Sequence, residues 1–464
     1  MNRTVGNLRI FRWALLVGLS LLATSLWAAP RNVILMIGDG MGMDTVIAAG
    51  AYKYGNAYHR LGGDQRLAME TLSDFYYCTT FSASGPGYDF TWDGGNREYP
   101  KQGPTDSAAA GTALATGVKT YNGAIGMDLH KRPLVSVSEY ARQAGMKVGI
   151  LTSVTFYHAT PACFAAHNAG RGNAAEIARE MLMVSQPEVL MGAGDPDSAP
   201  PDKAYSVINQ ASWEAIKAGR TPYRLVQERA DFQALIANPP EGKILGVFRN
   251  VTALPYCKAD GQGHDPRLPT LAEMTRGALA ALQNPQGFFL MVEGGAIDWA
   301  GHANNLDAAI GETLAFDEAV AAVLEWITAH GGWDENLLII TADHETGYLS
   351  SVQPTEAGKL PAATWGTDGK WGSHTNRPVP LFCQGAGSER FSNYKLRVTD
   401  FERGLVNVVD NTTVFNVMKS TLPLDQVAVS AREVPWTTRL ETAAQCGAEN
   451  SCHLLPVLIG EGVL

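Results

Sequence analysis

Cysteine is scarce in this chain, with six in 464 residues and none in a C-x-x-C pair. That scarcity excludes a scaffold built on disulfides and a thiolate zinc site. Basic side chains are outnumbered, 36 against 46 acidic ones, giving a net charge of -10. A nucleic-acid partner, which needs a clustered basic surface, is therefore not expected. Apolar runs fall short of the roughly 20 residues of a membrane-spanning helix. With 45% hydrophobic and 18% charged residues, the chain also lacks the polar bias of a disordered protein.

What is present begins with Arg3, Arg9 and Arg12, an apolar stretch from Trp13 to Leu22, and the small residues Ser25, Ala28 and Ala29 before Pro30. That order predicts a signal peptide over residues 1–29, cleaved near Ala28 or Ala29. Its three arginines leave with it and take the net charge from -10 to -13. The mature chain, 30–464, is expected to be a single domain, secreted into a bacterial periplasm, with no membrane span after cleavage. In such a compartment Cys446 and Cys452 are expected to pair across a short polar loop. Cys163 and Cys383 lie in apolar segments and read as buried free thiols no less than as disulfide partners.

Short apolar runs that end in glycine and polar residues predict buried parallel strands: Asn32 to Ile37, Lys147 to Leu151, Gly287 to Val292 and Asn336 to Ile340. Helical patterns lie between them, at Ala108 to Thr116, Glu139 to Ala144 and Leu306 to His330. Alternation of this kind predicts an α/β fold: a doubly wound, mostly parallel sheet with helices on both faces. A surface insertion near 351–373, rich in Pro, Gly and Thr between Pro354 and Gly372, interrupts it.

Such sheets bind ligands beyond the carboxyl ends of their strands. Asp39 follows the first run, and Glu293 closes the one that leads to Asp298 and His302. Asp343 and His344 follow another, and His374 precedes the strand-like Pro378 to Phe382. Singly, each would be a turn cap or a satisfied polar group. Together they supply the carboxylates and imidazoles of adjacent divalent sites, with His and Asp preferring zinc over calcium.

Pro104-Thr105-Asp106-Ser107 precedes a helix-forming run that ends at Gly117, which places Ser107 in a helix first turn. Free N–H groups and the positive end of the helix dipole favour an alkoxide or a phosphate there. A serine nucleophile also needs a base or a metal, and this segment supplies no histidine base. Two nucleotide-loop patterns are near misses: Met43 stands where a third glycine is required after Gly38 and Gly40, and five residues separate Gly111 from Gly117.

In order, Asp39-Gly40-Met41-Gly42, Thr105-Asp106-Ser107-Ala108-Ala109, Val292-Glu293-Gly294 through His302, Thr341-Ala342-Asp343-His344 and Gly372-Ser373-His374-Thr375 resemble the alkaline phosphatase family, over about residues 31–385. Gly117 to Gly126 resembles it as well. The resemblance implies hydrolysis of small phosphate monoesters through a phosphoserine on Ser107, in a homodimer with two zinc ions and one magnesium ion. Asp298, His302 and His374 would hold the first zinc, and Asp39, Asp343 and His344 the second. Thr160 and Glu293, with Asp39 shared, would hold magnesium, and Arg171 would clamp the phosphate through two donors. His158 and Trp299 stand where the enterobacterial type has aspartate and lysine. In this the chain is similar to the vertebrate and marine bacterial enzymes, and both residues are expected to stand behind the ligands.

Overall fold

The four apolar runs become four strands that lie side by side, in the middle of a sheet of eleven. This computed structural model describes residues 30–89, 98–369, 374–400 and 404–424, which belong to one compact unit. The strands in chain order are β1 (Asn32–Gly38), β2 (Asp74–Thr79), β3 (Lys147–Thr155), β4 (Val189–Ala193), β5 (Tyr223–Val226), β6 (Lys243–Val247), β7 (Phe288–Gly294) and β8 (Asn336–Thr341). They continue with β9 (Glu345–Thr346), β10 (Leu349–Gln353), β11 (Ala362–Trp365), β12 (His374–Thr375), β13 (Val379–Gly385), β14 (Leu396–Asp400) and β15 (Gly404–Asp410). Across the large sheet the order is β14-β15-β2-β13-β8-β1-β7-β3-β4-β6-β5.

Every residue of β1, β7 and β8 is buried, which explains why these strands read as unbroken apolar runs rather than alternating ones. All neighbours from β8 to β5 are parallel; β13 runs against β8 and β2, and β14 against β15. The helices pack in two groups. Met43–Tyr54, Arg229–Ala237, Leu271–Ala281 and Leu306–Ala329 form one, while Ser107–Thr116, Val137–Gln143, Ala159–Ala162 and Thr412–Thr421 form the other.

The insertion read between Pro354 and Gly372 is partly sheet, since β11 pairs antiparallel with β10. Among the described residues Cys78, Cys163 and Cys383 are free and buried, and Cys257 is free and half-buried. The signal peptide and the Cys446–Cys452 pair lie outside the described residues. No helix among the described residues is long and apolar enough to cross a membrane.

Candidate metal centre and active site

Strand register decides where the acidic residues meet. Ile37 of β1 pairs with Glu293 of β7 on one side and with Thr341 of β8 on the other. Asp39 and Asp343, each two residues further along, therefore leave neighbouring strands at the same level. Glu293 itself pairs with Thr152 of β3, whose hydroxyl donates to the Glu293 carboxylate. Asp298 and His302 are four residues apart in the helix Ala296–His302, so they share a face, and His302 Nε2 lies 3.3 Å from Asp298 Oδ2. His374 arrives from outside the large sheet, because β12 pairs antiparallel with β9 and sets His374 opposite Thr346.

These elements bring three groups of ligand atoms together, each with its atoms within 4.8 Å of one another: Asp39, Asp343 and His344; Asp298, His344 and His374; and Asp39, His158 and Glu293. His302 joins the second group, its Nε2 being 3.1 Å from His374 Nε2. His374 Nδ1 faces the Thr105 carbonyl at 2.9 Å, which leaves Nε2 directed at Asp298, 3.4 Å away. His344 Nε2 is 3.3 Å from Asp343 Oδ2 and 3.5 Å from Asp39 Oδ1.

Burial, and then the neighbouring charges of Asp343, Asp298 and Glu293, push the Asp39 carboxyl well above its ordinary range. Burial and Asp298 push Asp343 up to about 6. Glu293 is pushed up to about 7 by burial, against the hydroxyl of Thr152, with Asp343 raising it further. Against the burial that opposes it, the bonds of His302 and His374 hold Asp298 well below the carboxylate range. Burial drives His344 well down, with the charge of His374 adding to the effect.

Both Asp39 oxygens, Asp343 Oδ2, Glu293 Oε1, Thr160 Oγ1 and His158 Nδ1 are buried without a hydrogen-bond partner. Orphaned polar atoms of this kind cost several kcal/mol when gathered without countercharge. Carboxylates and imidazoles gathered without a thiolate match zinc, and the carboxylate and hydroxyl oxygens at Glu293, Asp39 and Thr160 match magnesium. The donor set is thus chemically compatible with the divalent metals that the resemblance implies.

The ring of His158, expected behind the ligands, lies within ligand reach of Asp39 and Glu293, and burial followed by the charge of Arg171 lowers it to about 4. A neutral imidazole can coordinate a cation. Trp299 stands edge-on to His158, ring centroids 6.1 Å apart, packed beside Val154, Ala253 and Ala296.

Ser107 opens the helix Ser107–Thr116, and its Oγ lies 3.2 Å from His344 Nε2. Asp106 caps that helix, with Oδ1 accepting from Ala109 N at 2.9 Å. Its Oδ2 accepts from Arg171 Nη1 at 3.0 Å, while Arg171 Nη2 lies 3.4 Å from His158 Nε2. The role of Asp106 as the partner of Arg171 was not visible in the sequence, where a residue before a helix reads as a cap alone.

Gly40 permits the close approach of the Asp39 loop to Asp298. Its φ is +73°, and a Cβ there would lie 2.7 Å from Asp298 Cα and 2.8 Å from Thr346 Oγ1. Gly40→Ala is expected to separate Asp39 from Asp298 and to cost at least about 1 kcal/mol in backbone strain. Thermal melts and zinc uptake measured side by side check this; a variant as stable and as metal-competent as the parent would refute it.

The alkaline phosphatase family model matches residues 30–379. Alkaline phosphatase 4 of Bacillus subtilis is 36% identical over 327 residues, which are 69% of this chain and 62% of that relative's length. The alkaline phosphatase of Escherichia coli is 30% identical over 439 residues, covering 85% of this chain and 86% of the relative. Among solved structures, the cold-active alkaline phosphatase from the psychrophile Shewanella sp. superposes with a TM-score of 0.64 at 27% identity, over 84% of this chain and all of the other. The match runs through every strand end that contributes to the acidic cluster, and on sequence and fold together the chain belongs to the alkaline phosphatase family.

Proposed function

We propose that this protein hydrolyses phosphate monoesters to an alcohol and inorganic phosphate through a phosphoserine on Ser107. The observation that carries the reading is the position of Ser107 Oγ, buried at a helix N-terminus beside His344 and a cluster of orphaned metal-ligand atoms. Asp298, His302 and His374 would hold one zinc ion, and Asp39, Asp343 and His344 a second. Asp39, Thr160 and Glu293 would hold magnesium, with His158 in reach of the same site. When bound, these cations supply the positive charge that stabilises an ionised serine and a charged leaving oxygen.

The chain's own residues supply the rest. Ser107 Oγ bonds to phosphorus as the bond to the leaving alcohol oxygen breaks. Water then attacks phosphorus from the vacated side, the serine oxygen departs and inorganic phosphate is released. Arg171, oriented by Asp106, holds non-bridging oxygens through two parallel donors. The N-terminal end of the helix Ser107–Thr116 would add its dipole and its uncapped N–H groups to the same oxygens. Export to the periplasm and dimerisation belong to the same reading.

A panel of nitrophenyl phosphate, bis-nitrophenyl phosphate and nitrophenyl sulfate tests it. Turnover is expected to be fastest on the monoester, and a faster diester or sulfate would overturn the assignment. Two successive in-line displacements also predict retention of configuration at a chiral phosphorus.

A further inference from the structure

The segment Asp343-His344-Glu345-Thr346-Gly347 contains a residue that has no part in the reading so far. Thr346 is 1% exposed and fills the space left by two glycines: a Cβ on Gly40 would come within 2.8 Å of its Oγ1, and one on Gly301 within 3.0 Å of its Cβ. Its hydroxyl lies 2.5 Å from Asp298 Oδ1 and 3.2 Å from His344 Nδ1. Asp298 belongs to the first predicted zinc site and His344 to the second.

Proton inventory fixes the direction of both bonds. A hydroxyl has one proton to give and lone pairs to receive with, whereas a carboxylate has lone pairs only. Thr346 therefore donates to Asp298, and His344 Nδ1–H donates to Thr346. With its proton on Nδ1, His344 presents a bare Nε2, the nitrogen that faces Ser107, Asp343 and Asp39.

We propose that Thr346 is a positioning residue that couples the two zinc sites, one hydroxyl orienting the carboxylate of the first and setting the imidazole tautomer of the second. The proposal rests on the metal reading above. Such outer hydrogen bonds are typically worth about 10–100-fold in metal affinity.

The test is zinc affinity by competition with a chromophoric chelator, on wild type, Thr346→Val and Thr346→Ser. Valine keeps the shape and loses the hydroxyl; serine keeps the hydroxyl. The expected result is weaker zinc at both sites in Thr346→Val, by roughly 10–100-fold at each, with serine restoring wild-type affinity to within a few-fold. Thr346→Ala, which removes the hydroxyl without adding bulk beside Gly40, must follow valine. Wild-type affinity in Thr346→Val, or weakening confined to one site, would overturn the coupling. A wild-type protein that takes up no zinc would instead sink the metal reading itself, so the two failures are distinguishable.

Discussion

Ser107→Ala is expected to lower kcat for nitrophenyl phosphate on the order of 10⁴-fold, as removal of a nucleophile does where the surrounding charges are left in place. The substitution is mild for the fold. Ser107 is 1% exposed in the first turn of an alanine-rich helix, and the one side-chain bond it makes among the described residues is to His344. Alanine is the better helix former, and Asp106 continues to cap Ala109. Stability and zinc content should therefore be unchanged while turnover collapses. Acid quenching during turnover should trap phosphate on a peptide that contains Ser107 in the parent and on none in the variant. A variant that retains a tenth or more of parental kcat would show that water attacks the ester directly.

Stripping the metals with a chelator is expected to abolish turnover and to make the stability of the acidic cluster fall as pH rises. Without cations, Asp39, Asp343 and Glu293 remain buried together, and their raised folded-state values mean that the folded chain holds protons which the unfolded chain releases. The stability that these three carboxylates contribute is full below the unfolded values, about 4. It is lost as pH rises to the folded values, about 6 for Asp343 and about 7 for Glu293. For Glu293 alone this is on the order of 3 kcal/mol. Metal-free protein should melt lower at pH 8 than at pH 5, and readdition of zinc and magnesium should restore the melting point at pH 8. A stripped protein equally stable at both values would contradict the picture of a charge cluster held together by bound cations.

The sequence was most legible where a strand is buried on both faces. β1, β7 and β8 announce themselves as apolar runs because neither face meets water. Asp39, Asp343 and Glu293 were readable for the same reason, each standing where such a run stops. His374 was less so, since β12 is two residues long and owes its place to pairing with β9, a contact between segments far from any periodic pattern. The antiparallel placement of β13 between β8 and β2 left no local trace either, because an apolar run carries no direction. His158 read as a supporting residue because burial beside Asp39 and Glu293 is a tertiary property. Thr346 stands two residues beyond the Asp343-His344 pair, yet its hydroxyl acquires meaning only when the helix carrying Asp298 packs against it.

The order β8-β1-β7-β3 has one more consequence. Neighbouring strands stand about 4.8 Å apart, a distance fixed by peptide hydrogen bonds. Asp343, Asp39, Glu293 and Thr152 lie on or just beyond four successive strands. The backbone thus acts as a ruler whose graduations no side-chain replacement can alter. Loops at this end of the sheet can differ in length or chemistry without changing the interval between the charged groups beneath them.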